Sequence, residues 1–359
     1  TFAAAVAIKA YLQDSQLPGT VIYYGCPGEE SSSCKAFMAK DGVFDELDCA
    51  LAWHPAGISY ITTGATLANC RIFYRFSGRA SHAASAPEHG RSALDAVELM
   101  NVGVQFLREH VDSSARMHYA ITDAGGKSPN IVQDHAEVLY LLRAPKDAIL
   151  TDIIQRVDAI AEGAALMTGT KMERQFVKAC ASLVPNTVVG RQMQANAEGI
   201  PFPKITDEEF SVAKQYQDTL QGTSPEIDGY LPLYSEATKK QLIQYRDNVI
   251  NDFILPYADF EVQTMGSTDV GDVSKVCPTA MIWLTTLAAN TPAHSWQMVA
   301  QGKNSLSHKM MLHAGKILAG TAIDMIENPN LIAAAKKEYD EKIGSYQTLI
   351  PDGIRPIPM

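Results

Sequence analysis

The stretch from Leu67 to Ser182 constrains this 359-residue chain more than any other. Leu67 to Phe76 alternates apolar with polar or charged residues, as a strand with one wet face does. A helical segment follows over 90–110. Strands near 116–123 and 135–143 come next, joined by the turn-rich Asp123-Ala-Gly-Gly-Lys-Ser-Pro-Asn130. A helix from Lys146 to Met167 and a strand at 170–182 close the stretch. The order βαββαβ is the ferredoxin-like pattern, a unit able to bury its own core. It predicts an inserted α+β domain over 67–183. Residues 1–66 and 184–359 then form a larger α/β domain around it.

In the flanking parts, Val21 to Tyr24 is a β-branched and aromatic run after the turn signal Pro18-Gly19. It predicts a short buried strand over 20–26, ended by Gly25, Pro27 and Gly28. Glu29 and Glu30 would then sit at that strand's C-terminal edge, where open α/β sheets build their sites. Adjacent carboxylates repel, so they are comfortable only beside a cation or in open water. One chemistry uses such a pair: one Glu ligates a metal while its neighbour takes a proton from the attacking water. The plain alternative is a solvated pair at a helix start, favoured by the helix dipole.

A helical stretch near 31–41 leads to a second strand, Asp48-Cys-Ala-Leu-Ala-Trp53, ending at His54-Pro55. A His beside Pro at a strand end is often structural. His54 gains weight as the third potential ligand on a strand end. From 184 the chain is helical and irregular, broken by Pro201-Phe-Pro and Pro225-Glu-Ile-Asp-Gly. It returns to a Gly-rich segment, Met265 to Asp272, and a strand from Thr279 to Thr285. His294 lies in Thr291-Pro-Ala-His-Ser-Trp, ahead of helices at 305–328 and 330–343.

Composition excludes several classes. A net charge of −10 argues against nucleic-acid binding, which needs a basic face. It leaves the substrate's charge open, because a site can be cationic on an acidic protein. No apolar run approaches the length of a membrane span, and no signal-peptide pattern opens the chain. Six scattered cysteines without a Cys-x-x-Cys pair fit free thiols in a reducing compartment, so the expected location is cytoplasmic. A dinucleotide-binding protein is poorly supported, since no Gly-x-Gly-x-x-Gly follows a strand.

Carboxylate plus imidazole is the ligand set expected for zinc or manganese. Six strings extend the pattern: Gly25-Cys-Pro-Gly-Glu-Glu30, Trp53-His-Pro-Ala56, Gly78-Arg-Ala-Ser-His-Ala-Ala84, Gly90-Arg-Ser-Ala-Leu-Asp-Ala-Val97, Ser267-Thr-Asp-Val-Gly-Asp-Val-Ser274 and His294-Ser-Trp-Gln297. In these strings, and in their order, the chain resembles the aminoacylase/carboxypeptidase family of dinuclear metallopeptidases and amidohydrolases. The resemblance implies a three-layer α/β/α metallopeptidase-like catalytic domain with an inserted dimerisation (lid) domain. It implies Glu29 as general base and Glu30, His54 and His294 as metal ligands. His82 would reach into the partner subunit's site and help stabilise the oxyanion. Asn130 and Arg143 would hold the substrate carboxylate. Such donors suit those tasks: Arg offers carboxylates a bidentate fork, and His or Asn can donate to an oxyanion.

Each assignment has a plain alternative. His82 in a small-residue loop can be a turn residue, Arg143 an edge charge, and Cys26 a packed thiol. His89, His110, His118, His135, His308 and His313 have no matching role. Family members carry a further block upstream, with a His-containing ligand pair and the ligand bridging the two metals. The expectation is therefore a C-terminal portion of a family member, whose dinuclear site is incomplete in this chain alone. Two readings follow. One is a metal-dependent amidohydrolase of an N-acyl amino acid or aroyl-glutamate, a homodimer through the inserted domain with a possible second subunit. The other is a truncated or partner chain that keeps the fold without the chemistry.

Overall fold

The computed structural model describes residues 1–259 and 264–357. Its strands are β1 (Ala50–Ala56), β2 (Tyr60–Ile61), β3 (Ala68–Ser77), β4 (Arg116–Asp123), β5 (His135–Ala144), β6 (Lys171–Cys180) and β7 (Thr279–Thr285). They form a three-stranded sheet ordered β1-β7-β2 and a four-stranded sheet ordered β4-β5-β3-β6.

Alternation builds both sheets. In β3, Ala68, Cys70, Ile72, Tyr74 and Phe76 are buried, while Arg71, Phe73 and Arg75 turn to the other face. The buried set packs against helices Ala93–Leu107 and Asp147–Thr168, which bring Val97, Met100, Val104, Leu150, Ile153 and Val157. Each large side chain removed from water there contributes about 1.5–3 kcal/mol. The hydroxyls of Tyr74 and Tyr140 do not go unmet: they donate to Asp158 and Asn101, each at 2.6 Å. The run of elements is β3, helix, β4, β5, helix, β6, with every pairing antiparallel. This is the expected βαββαβ order.

In the other sheet β7 is central, parallel to β1 and antiparallel to β2. Ala280, Ile282 and Leu284 face helices Thr187–Gly199 and Ser305–Glu327. Met281 and Trp283 face Leu183 and Val270 on the other side. A strand buried on both faces reads as a continuous apolar run, and β7 does. The result is three layers, an α/β architecture.

Two expectations need correction. Val21 to Tyr24 forms no strand; residues 17–28 carry no regular structure, and Ile22 and Tyr23 are exposed. Strand propensity without a neighbouring ladder leaves backbone groups to water, and no strand lies alongside among the described residues. Nor does β1 stop at His54: it runs on through Pro55 to Ala56. Among the described residues β1 pairs on one side only, and an edge strand tolerates a residue without an N–H. Next to β1 opens a cavity of about 1230 Å³, walled by Ile8, Val21, Leu51, Trp53, Met281 and Leu318 among others.

Candidate active site

Glu29 and Glu30 open the one-turn helix Glu29–Ser32, and Gly28 before them adopts φ 66°. That left-handed turn is open to glycine at little cost and re-aims the chain after Pro27. Helix Cys34–Lys40 follows at once and is fixed from a distance. Lys35 donates its backbone N–H to Asp269 Oδ2 at 2.9 Å, and its ammonium lies 2.8 Å from Asp269 Oδ1. Asp269 is buried, which pushes its carboxyl up, while Lys35 pulls it back down.

Asp269 belongs to the Ser267–Ser274 segment, whose other acid holds the neighbouring sheet. Asp272 accepts from the Ala181 N–H and the Tyr346 hydroxyl, each at 2.8 Å. Full burial pushes its carboxyl up to about 7. Gly271 lies so close to the Ala181 carbonyl that a Cβ would come within 2.0 Å of its oxygen, so no other residue fits there. The segment thus ties the end of β6 to the helix that carries Lys35.

His54 projects from β1 against Trp283, with ring centroids 4.0 Å apart. Its Nδ1 lies 2.7 Å from the Pro55 carbonyl. A carbonyl only accepts, so Nδ1 carries the proton and Nε2 keeps its lone pair, the form that ligates metals. Burial lowers the His54 pKa, the Pro55 carbonyl, Glu29 and Glu30 oppose that, and His294 adds to the lowering. Glu29, Glu30 and His294 are thus within electrostatic reach of His54. Glu29, Glu30, Lys35 and His54 also line the same cavity. His294 is exposed and holds φ 57°, an uncommon backbone state for a residue with a Cβ.

The donor types suit a divalent metal. Among the described residues, however, no three His, Cys, Asp or Glu side chains converge into a cage.

His82 has the opposite polarity from His54. Its Nδ1 accepts the N–H groups of Ala84 and Ser85, both at 3.2 Å, so Nε2 carries the proton and points outward as a donor. His82 bridges Ile131, and Ala83 donates to the Asn130 carbonyl at 3.0 Å, so His82 and Asn130 share one exposed loop pair. Arg143 is elsewhere. Its Nη1 lies 3.4 Å from both the Met265 carbonyl and the Ser267 hydroxyl, beside the Asp269 segment. β5 runs from His135, at the His82 end, to Arg143, eight residues on. At about 3.4 Å per residue the two ends are roughly 27 Å apart. Within one chain, Arg143 lies beside the segment whose Asp269 anchors Lys35, whereas His82 and Asn130 lie at the far end of the strand.

Sequence reasoning assigned no role to Lys35, Asp269, Trp283 or Lys178. Asp269 had a signal, since it stands inside one of the six strings; a lone lysine such as Lys35 or Lys178 carries none. The remaining histidines took no part: His313 is buried against Phe202, and burial lowers it to about 4. All six cysteines are free, and burial raises the Cys26 thiol, as for a packed residue.

A peptidase dimerisation domain family matches residues 65–167. The chain is 42% identical over 362 residues to one of the subunits of p-aminobenzoyl-glutamate hydrolase of Escherichia coli (strain K12), a match covering 100% of this chain and 75% of the relative. Among solved structures, an aminobenzoyl-glutamate utilization protein from Klebsiella pneumoniae superposes with TM-score 0.59 at 18% identity, over 89% of this chain and 66% of that one. A Bacillus subtilis protein described as a dinuclear metal binding peptidase of the M20 family gives TM-score 0.51 at 14% identity, over 90% and 70%. These two likenesses concern the fold.

Proposed function

The chain belongs to the family of that p-aminobenzoyl-glutamate hydrolase chain, M20-type hydrolases acting on amide bonds, and from that premise we propose that it cleaves N-acyl amino acids, p-aminobenzoyl-glutamate or a similar aroyl-amino acid first among them. The observation that carries this reading is His54, whose Nε2 lone pair is free on the wall of the cavity that Glu29 and Glu30 also line. Glu30, His54 and His294 are the candidate donors for a divalent ion, zinc or manganese. Because no three donors converge among the described residues, an ion held by them would need these side chains to draw together or further donors to complete the set. When bound, such an ion supplies Lewis acidity at the scissile carbonyl. Glu29 accepts the proton of the attacking water and passes it to the leaving nitrogen. Arg143 grips the substrate carboxylate. His82 Nε2–H, with Asn130 beside it, donates to the developing oxyanion from a second copy of the chain.

That copy docks through the four-stranded sheet, where edge strand β4 exposes Tyr119 and Ile121 and the helix beneath exposes Val102 and Phe106. An apolar open edge is a ready pairing surface. We place the protein in the cytoplasm, with residues 67–183 as the dimerisation unit between the two parts of the catalytic domain. A second, different subunit is also part of the proposal, because the Escherichia coli relative is itself named as one subunit of its hydrolase.

The test is p-aminobenzoate release from p-aminobenzoyl-glutamate by the purified chain with added zinc or manganese, followed by chromatography. Release in the wild type and its loss in Glu29→Gln is the expected result. No release with either metal overturns catalysis by this chain. It favours the partner-chain reading, which the lack of a three-donor cage among the described residues supports.

A further inference from the structure

On the face of the four-stranded sheet away from its helices, three polar side chains stand close together and incompletely satisfied. Asn69 on β3 is opposite Arg143 on β5, and Arg71, two residues along β3, is opposite Lys178 on β6. Opposed residues in an antiparallel ladder share a face, as do residues i and i+2, so all four lie on one side. Asn69 is 5% exposed and its Oδ1 has no partner among the described residues; the buried Nε of Arg143 has none either. Lys178 is only 6% exposed, and no described carboxylate comes within ion-pairing distance of its ammonium. Burial opposes the charge on Lys178 and Arg71 adds to that, while Glu29 and Asp269 are near enough to favour it. Lys178 is therefore within electrostatic reach of the candidate base.

Buried polar groups are almost always partnered, so such a cluster on one face marks a place that a ligand completes. Two of the three are donors, an ammonium and a guanidinium N–H; the unpartnered Asn69 Oδ1 is an acceptor as placed, and the carboxamide presents its N–H groups there once flipped. What they would take is an anion. Adjacent strands lie about 4.8 Å apart with about 3.3 Å per residue, which puts the Arg143 and Lys178 backbones roughly 12 Å apart with Asn69 between them. Two long cationic side chains across that gap bracket a small diacid. Resting on the amidohydrolase reading above, we propose that Lys178 and Asn69 form a subsite for the side-chain carboxylate of an acidic N-acyl amino acid, beside the Arg143 that takes its main-chain carboxylate. Lys178 is then a specificity residue, selecting acyl-glutamate or acyl-aspartate over neutral analogues.

Calorimetric titration of the intact chain with N-benzoyl-glutamate and N-benzoyl-glutamine, which differ in side-chain charge alone, tests this. The wild type should prefer the glutamate ligand by about tenfold or more, as expected for one charge-assisted contact. Lys178→Gln should shrink that ratio to within about twofold, and Lys178→Arg should keep most of it. Should Lys178→Gln fail to fold, Asn69→Asp serves instead: a carboxylate there should reverse the preference. The subsite is overturned if the preference survives in Lys178→Gln, or if the wild type binds both ligands equally. If the wild type binds neither, the amidohydrolase reading falls and the subsite falls with it.

Discussion

Asp269→Asn probes the contact that anchors the candidate site. The Asp269 side chain is 0% exposed and that of Lys35 17%, with 2.8 Å between Oδ1 and Nζ. Asparagine keeps the size and an acceptor for the Lys35 N–H, so the loss is mainly the charge. Breaking one side of a buried pair typically costs about 3–5 kcal/mol, because the other charge is left buried and unmatched. Lys35 retains some access to water, which places the expected loss near the low end, at about 3 kcal/mol. Weakening the charge-assisted bond to the Lys35 N–H adds about 1 kcal/mol. Urea unfolding followed by circular dichroism measures it, with coincident fluorescence as the two-state check. Lys35→Met alone should cost a similar amount, and the double variant far less than the sum, with an interaction energy of about 2–3 kcal/mol. Single variants within about 1 kcal/mol of wild type, or a strictly additive double, would refute the anchoring argument.

Three further outcomes are expected. In metal-supplemented protein, Glu29→Gln should abolish amide hydrolysis with metal content nearly unchanged, whereas Glu30→Gln should lower metal content too; elemental analysis giving equal losses would refute this division of roles. Burial raises the Asp272 carboxyl from 3.8 to about 7, so between those values the folded chain binds more protons than the unfolded one. Stability should then fall as pH rises from about 4 to 7, and Asp272→Asn should flatten part of that slope, leaving the part due to Glu226, which burial likewise raises to about 7. Ile121→Asp together with Phe106→Glu should convert dimers to monomers in light scattering at micromolar concentration, because both positions are exposed on the β4 side of the sheet.

The inserted unit was legible because each element announces itself by period. The alternation of β3 and β5, and the apolar spacing of the helices between, leave one face or stripe to bury. β7 was legible for the opposite reason, being apolar without a break from Ala280 to Leu284. Val21 to Tyr24 misled because propensity is local, whereas a strand exists only when another lies beside it. At the site, the motifs pointed to Glu29, Glu30, His54 and His294; the structure sets Glu29, Glu30 and His54 along one cavity wall, with His294 outside that lining. The motifs could not say which nitrogen of each histidine is protonated. That is set by contacts: a neighbouring carbonyl for His54, two backbone N–H groups for His82. Lys178 was invisible because its meaning comes from the strand register that sets it opposite Arg71.

The separation between the two ends of β5 leads to the sharpest test of assembly. Arg143 shares the neighbourhood of Ser267, and His82 lies with Asn130 at the far end, roughly 27 Å along the strand. No side chain spans that distance, so if both ends serve one reaction, they belong to different copies. Glu29→Gln and His82→Ala should each abolish turnover as homodimers, since every site then lacks its base or its oxyanion donor. Mixed and reassembled in equal amounts, half the dimers are heterodimers, and each of those has one site with both residues intact. Two sites per dimer make the expected recovery about a quarter of wild-type activity. Size-exclusion chromatography before the assay checks that exchange has occurred. Recovery near zero in exchanged dimers would mean that His82 serves its own chain or none, and the shared site would have to be abandoned.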